Sequence, residues 1–122
     1  MILVDTAVWI DHLHKGEPQL VELLDSDQIG SHPLIVEEIA LGSLRRREVV
    51  LDLLGNLFRF PTVAHDEVLH LTEEHRLWGR GLSAIDVHLM AAVALVPGSR
   101  LWTRDRRLRT VCSDTGVAVF GA

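Results

Sequence analysis

Short apolar segments alternate with longer helical ones along the chain, and this alternation limits the fold more than any other feature of the sequence. The patterns predict strands at 2–4, 28–31, 58–60, 100–103 and 117–120, and helices at 7–14, 18–25, 33–42, 48–54, 66–78, 83–96 and 104–111. Parallel strands need a crossover of about a dozen residues or more between them, usually a helix. We therefore expect an α/β fold with a mostly parallel central sheet.

The length and the apolar content predict a single domain over residues 1–122. A chain of 122 residues, of which 48% are hydrophobic, can bury a core without metal or disulfide support. The single cysteine, Cys112, cannot form an internal disulfide and is interpreted as a small buried hydrophobe. The longest purely apolar run, 89–96, is too short to cross a bilayer, and the N-terminus lacks the basic start of a signal peptide. We therefore expect a cytoplasmic protein without membrane attachment.

The basic residues are concentrated, although the chain is acidic overall. The formal net charge of −5 argues against a general nucleic-acid coat protein. Five arginines nevertheless lie between positions 100 and 109. Arginine forks match phosphate oxygens, so four of these side chains are candidates for binding a phosphate backbone: Arg104, Arg106, Arg107 and Arg109. The alternative is a solvated helix face, and the run 45–47 leaves the same two possibilities open.

Acidic residues stand at positions where an α/β sheet gathers functional groups. In a parallel sheet, ligands bind beyond the carboxyl ends of the strands. Asp5 follows the first predicted strand, and Asp105 follows the strand at 100–103. Asp86 lies in the first turn of a helix that opens with the S-x-x-D form of a capping box. Glu38 has apolar neighbours on another helix.

Clustered carboxylates would require a cation, but each of these acids also has a purely structural interpretation. Carboxylates that are brought together repel one another unless a cation neutralises them, and hard oxygen ligands select Mg²⁺ or Mn²⁺. Alternatively, Asp5 caps a helix, Asp86 completes a capping box, Asp105 is a turn residue or an arginine partner, and Glu38 is an exposed helix acid. Periodicity alone does not bring the four together.

Four segments of the chain carry a likeness to a known family. Their order and spacing follow the family pattern, and its E-[LI]-x-x-G motif selects Glu38 over Glu37. The segments are 2–10 (ILVDTAVWI), 36–42 (VEEIALG), 86–92 (DVHLMAA) and 101–108 (LWTRDRRL). In these segments the sequence resembles the PIN domain, and within it the VapC toxins of bacterial toxin–antitoxin pairs.

The resemblance implies a function, a site and partners. It implies a three-layer α/β/α PIN fold and endonucleolytic cleavage of RNA by a water that Mg²⁺ or Mn²⁺ activates. The metal ligands, and thus the catalytic residues, would be Asp5, Glu38, Asp86 and Asp105. The hydroxyls of Thr6 and Thr103 would support these ligands or position water. The resemblance further implies a small VapB-type antitoxin bound near the active site, and a homodimer.

Other interpretations of the sequence are weaker. A catalytically weak module that binds RNA or an antitoxin is the alternative function, although all four acids are present. A receiver-like domain would need a late lysine, but the only lysine is Lys15, and a dehalogenase-like phosphatase would need D-x-D after the first strand. The seven histidines form no H-E-x-x-H motif, so we assign them to surface and packing roles. Trp9 could pack at a partner interface, and Trp102 is expected in the core or an interface.

Overall fold

The computed structural model describes residues 1–121, and within them seven helices flank a sheet of four short strands. The strands are β1 (Ile2–Val4), β2 (Ile29–Ser31), β3 (Phe58–Arg59) and β4 (Arg100–Trp102). The helices are α1 (Thr6–Lys15), α2 (Pro18–Asp25), α3 (Pro33–Ala40), α4 (Arg47–Gly55), α5 (His65–Glu74), α6 (Ala84–Leu95) and α7 (Arg106–Thr115). This alternation confirms the predicted α/β class.

The sheet is entirely parallel, in the order β3-β2-β1-β4. Strand β1 pairs on both sides: Ile2 is in register with Ile29 of β2 and with Arg100 of β4. All three residues of β1 are buried, as expected for a strand covered on both faces by helices. The first and last strands of the sheet in chain order, β1 and β4, are thus neighbours. Residues that follow β1 and β4 therefore meet at the same carboxyl edge.

The predicted last strand and the predicted end of one helix differ from the structure. The predicted last strand at 117–120 is wrong, because only an isolated bridge joins Val119 to Leu101 there. The helix predicted over 66–78 ends at Glu74 because Arg76 takes a left-handed conformation with φ of 52°. The apolar Leu77 beyond this turn is buried, which explains why the sequence pattern continues past the end of the helix.

The core fills both faces of the sheet and contains Trp9 and Trp102. Trp9 is only 2% exposed and packs in the core, so it is not available to a partner, whereas Trp102 belongs to the core as predicted. Cys112 is fully buried, and burial raises the pKa of its thiol to about 11. Helix α6 is the most buried helix, yet no helix within residues 1–121 is both long and apolar enough to cross a bilayer.

Strands β2 and β3 approach each other closely at Gly30. A Cβ atom at this position would overlap Cε1 of Phe60 and would lie 2.9 Å from the carbonyl oxygen of Phe58. Both contacts are closer than side chains tolerate, so this strand position requires glycine. The requirement explains why β2 has only a weak strand pattern in the sequence.

A buried histidine begins helix α3. His32 is inaccessible to solvent, and its Nδ1 accepts a hydrogen bond from the amide of Leu34 at 3.1 Å. Its Nε2 has no partner within residues 1–121, and the ring of His88 lies 6.4 Å away between centroids. Burial, followed by the charges of His88 and Arg59, lowers the pKa of His32 from 6.5 to about 4. The folded protein therefore holds this ring neutral.

We expect stability to fall with acidification between pH 6.5 and pH 4 because of His32. In that interval the unfolded chain binds a proton at this position and the folded chain does not, so the free energy of unfolding decreases as the pH falls. The shift corresponds to at most about 3 kcal/mol. Urea denaturation at pH 7, 5.5 and 4.5 measures this. His32→Asn retains a helix-capping acceptor without the titration, so an identical pH dependence of the two proteins would contradict the assignment.

Candidate active site

All four acids singled out in the sequence line one open cavity of about 510 Å³. They are Asp5, Glu38, Asp86 and Asp105. The cavity lies beyond the carboxyl ends of the adjacent strands β1 and β4, where parallel sheets place their ligand sites. Thr6 also lines it. The fold therefore brings together acids that are up to 100 residues apart in the sequence.

Asp5 is held at the end of β1 by two hydrogen bonds to its carboxylate. Its Oδ1 accepts from the amide of Thr6 at 2.8 Å, and its Oδ2 accepts from the hydroxyl of Thr103 at 2.7 Å. Its own amide donates to the carbonyl of Trp102 at 2.9 Å, which extends the pairing with β4 by one residue. Both the backbone and the side chain of Asp5 are thus fixed.

The buried hydroxyl of Thr103 joins Asp5 to Asp105. While it donates to Asp5, the same oxygen accepts the amide proton of Asp105 at 3.1 Å. Asp105 in turn caps α7, because its Oδ1 accepts from the amides of Arg107 at 2.9 Å and Leu108 at 3.2 Å. One threonine thus orients the carboxylate of Asp5 and holds the backbone of Asp105, the acids that follow the two strands.

Glu38 reaches the cavity from α3, and Thr6 holds it there. The hydroxyl of Thr6 donates to Oε1 of Glu38 at 2.6 Å. Glu38 is half-buried, whereas the neighbouring Glu37 is exposed and does not line this cavity. The structure thus places the glutamate that the family motif selected beside the other acids.

Asp86 enters from the first turn of α6, where it forms the predicted capping box with Ser83. Its Oδ2 accepts from the amide of Ser83 at 2.9 Å, and its own amide donates to the hydroxyl of Ser83 at 3.2 Å. Burial raises the pKa of Asp86, and the negative charges of Asp5 and Asp105 raise it further, although hydrogen bonds to Ser83 oppose this. The acids therefore repel one another electrostatically in the absence of a cation.

Helix capping leaves carboxylate oxygens available in the cavity. Three carboxylate oxygens of the four cavity acids have no hydrogen-bond partner among residues 1–121: Oε2 of Glu38, Oδ1 of Asp86 and Oδ2 of Asp105. The capping roles considered for Asp5 and Asp86 are therefore present in the fold, and Asp105 caps α7, a role that was not predicted for it. They do not conflict with a second role as ligands, because capping occupies one oxygen of Asp86 and one of Asp105.

The donor set fits a hydrated hard cation. No three acidic, histidine or cysteine side chains among residues 1–121 converge closely enough to form a ready-made metal cage. Mg²⁺ is commonly held by one or two carboxylates, and waters and substrate phosphates complete its octahedron. An open cavity lined by carboxylates with unpaired oxygens suits that mode of binding. Nitrogen- or sulfur-binding metals find no comparable set within these residues.

Of the four arginines singled out near Asp105, only Arg104 lines the acidic cavity. Its guanidinium donates to the carboxylate of Asp11 and, at 2.5 Å, to that of Glu17. Sequence analysis missed both partners, which lie 93 and 87 residues away in the chain and give no local signal. Arg106 is exposed on α7.

The other two arginines make contacts within the protein. Arg109 donates to the carbonyls of Thr103, Phe120 and Gly121, the last at 2.9 Å, and so attaches the C-terminal segment beside β4. Arg107 is exposed, and its side chain packs so closely against Gly81 that a Cβ atom there would collide with it. Arg109 is therefore already engaged by backbone carbonyls.

Comparisons of sequence identify a family and a near relative. The PIN domain family model matches residues 2–113. The chain is also 60% identical over 119 residues to proteins named Ribonuclease VapC32 from two strains of Mycobacterium tuberculosis, CDC 1551 / Oshkosh and ATCC 25618 / H37Rv. This alignment covers 98% of the chain and 96% of each relative.

Solved structures share the fold at lower sequence identity. FitAcB from Neisseria gonorrhoeae superposes with a TM-score of 0.64 at 23% identity, covering 99% of this chain and 97% of that one. PAE2754 from Pyrobaculum aerophilum gives a TM-score of 0.57 at 22% identity, covering 90% and 78%. These similarities support the three-layer α/β/α arrangement expected from the sequence.

We expect Thr103→Val to destabilise the protein, because the variant keeps the size of the side chain but leaves the amide of Asp105 and one oxygen of Asp5 without their partner. The cost should be about 1–3 kcal/mol in the free energy of unfolding, measured by urea denaturation. Thr103→Ser retains the hydroxyl and serves as the matched control. Equal stabilities of the valine and serine variants would show that the hydroxyl bridge between the carboxylate of Asp5 and the amide of Asp105 contributes nothing.

Proposed function

This chain belongs to the PIN domain family, and from that membership we propose that it is a metal-dependent endoribonuclease of the VapC type, the toxin of a type II toxin–antitoxin pair. The observation that carries the proposal is the meeting of four acids in one cavity, in a chain 60% identical to a protein named a ribonuclease. The reaction is hydrolysis of an RNA phosphodiester bond.

The proposed metal ligands are Asp5, Glu38, Asp86 and Asp105, with Mg²⁺ or Mn²⁺ as the ion. When bound, such an ion would orient a water for in-line attack on the scissile phosphate and stabilise charge on the phosphate and the leaving oxygen. The unpaired oxygens of three of these side chains and the raised pKa of Asp86 support the assignment.

The two threonines would preorganise the site. Thr6 donates to Glu38 and Thr103 donates to Asp5, so each hydroxyl fixes the rotamer of one proposed ligand. Fixed donors spare the site the reorganisation that flexible side chains would need when the substrate binds. We assign Thr6 and Thr103 as positioning residues rather than as groups that contact the reacting atoms.

An antitoxin of the VapB type is the proposed protein partner, and we place it in the apolar groove beside the cavity. This groove, of about 600 Å³, is lined by Ile10, Leu13, Ile39, Leu44 and neighbouring residues, and it shares Ile10 and Glu38 with the acidic cavity. A helix or strand seated there would reach the proposed metal site. Inhibition of cleavage by the small protein encoded beside this one tests the pairing, and light scattering tests the expected homodimer.

We expect Asp86→Asn to reduce metal-dependent RNA cleavage by 100-fold or more, roughly the effect of losing a ligand that acts in the transition state. Asparagine keeps an acceptor for the amide of Ser83, so the helix start is retained. Mapping RNA ends after incubation with Mg²⁺ provides the measurement, and EDTA should abolish the cuts.

The matched control is Glu37→Gln, which removes an exposed carboxylate next to Glu38 and should leave cleavage near that of the wild type. The same cut pattern from Asp86→Asn and the wild type would count against the proposal. Binding of RNA without metal-dependent cleavage by the wild type would favour the catalytically weak binding module instead.

A further inference from the structure

Three charged side chains from separate elements meet at the cavity. Arg104, between β4 and α7, donates one Nη group to Asp11 of α1 and the other to Glu17, the residue before α2. The arginine and Asp11 are each more than one third exposed, and Glu17 is 22% exposed. Arg104 also lines the same cavity as the four proposed metal ligands. Through Arg104, the cluster therefore borders the acidic cavity.

Arg104 is the one cationic side chain among the residues that line the acidic cavity in the described part of the chain. A guanidinium carries five N–H donors, and the two carboxylates accept one from each Nη. Three donors remain, a number sufficient for a bidentate contact to phosphate oxygens. Every other charge lining the cavity is negative and would repel a phosphate.

We propose that Arg104 binds a backbone phosphate of the RNA at this cavity, and that Asp11 and Glu17 are positioning residues that hold its guanidinium there. The inference rests on the proposed ribonuclease function, and it adds a substrate contact and two residues that the metal site does not require.

Two carboxylates on one guanidinium reduce the cost of ordering a long side chain when substrate binds. An unrestrained arginine loses rotamer freedom on binding, whereas one held by two partners has lost much of it already. Asp11 and Glu17 come from both sides of the α1–α2 turn, which fixes the position of the guanidinium from two directions.

The salt dependence of RNA binding tests the phosphate contact, because a purely structural role of Arg104 would leave that dependence unchanged. We expect Arg104→Gln to raise KM for a single-stranded RNA oligonucleotide about tenfold, with kcat within about twofold of wild type. The slope of log affinity against log salt should become shallower by about 0.7, which corresponds to the loss of one phosphate contact on a single strand. The control Arg76→Gln removes an exposed arginine that does not line the cavity and should leave KM and the slope unchanged.

The isosteric variants Asp11→Asn and Glu17→Gln test the positioning role. We expect each to raise KM several-fold while the salt slope stays at the wild-type value, because Arg104 keeps its charge and loses only its restraint. Arg104→Lys should restore the slope without restoring KM, because lysine cannot form a fork. A lower KM in either carboxylate variant would overturn the proposal, since it would mean that the carboxylates withhold Arg104 from RNA.

Equilibrium binding of the same oligonucleotide in EDTA, followed by fluorescence anisotropy, separates this inference from the function on which it rests. A reduced slope for Arg104→Gln in a protein that cleaves no RNA would refute the ribonuclease function and retain the phosphate contact. Metal-dependent cleavage with the same slope in Arg104→Gln and wild type would refute the phosphate contact alone. Thermal unfolding of each variant confirms that a changed KM does not come from lost structure.

Discussion

Mutual repulsion among carboxylates at one edge of the sheet is the constraint on which the rest of the site depends. Asp5 and Asp105 follow neighbouring strands, and Asp86 and Glu38 are brought in by two helices. Burial is the main cause of the raised pKa of Asp86, and the negative charges of Asp5 and Asp105 raise it further. Such a cluster destabilises the fold in the absence of a cation, and binding of a divalent ion would remove this destabilisation.

Hydrogen bonds inside the protein counter this repulsion and orient the acids at the same time. Asp5 caps α1 and Asp105 caps α7, while Asp86 belongs to the capping box of α6. Favourable interaction with helix N-termini offsets part of the electrostatic cost of each carboxylate. Two threonine hydroxyls, those of Thr6 and Thr103, add to this. Stability and the preparation of the site therefore use the same contacts.

Sequence patterns predicted the features of this molecule that depend on residues close to one another in the chain. Strand–helix alternation gave the α/β class, and the S-x-x-D pattern gave the capping box at Asp86. The convergence of the four acids came from family resemblance, because periodicity holds no information about contacts between distant segments. The pairing of Arg104 with Asp11 and Glu17 had no signal for the same reason. The burial of Trp9 could not be predicted, because a helical aromatic near a site fits a core and an interface equally well.

The most direct measurement of the central claim is the midpoint of thermal unfolding as a function of Mn²⁺ concentration at pH 7. A site completed by a cation binds it only in the folded state, so the midpoint should rise with Mn²⁺ by several degrees at saturating concentration. In Asp105→Asn, which still caps α7, the rise should be much smaller. A midpoint that does not respond to Mn²⁺, or that rises equally in both proteins, would contradict the account.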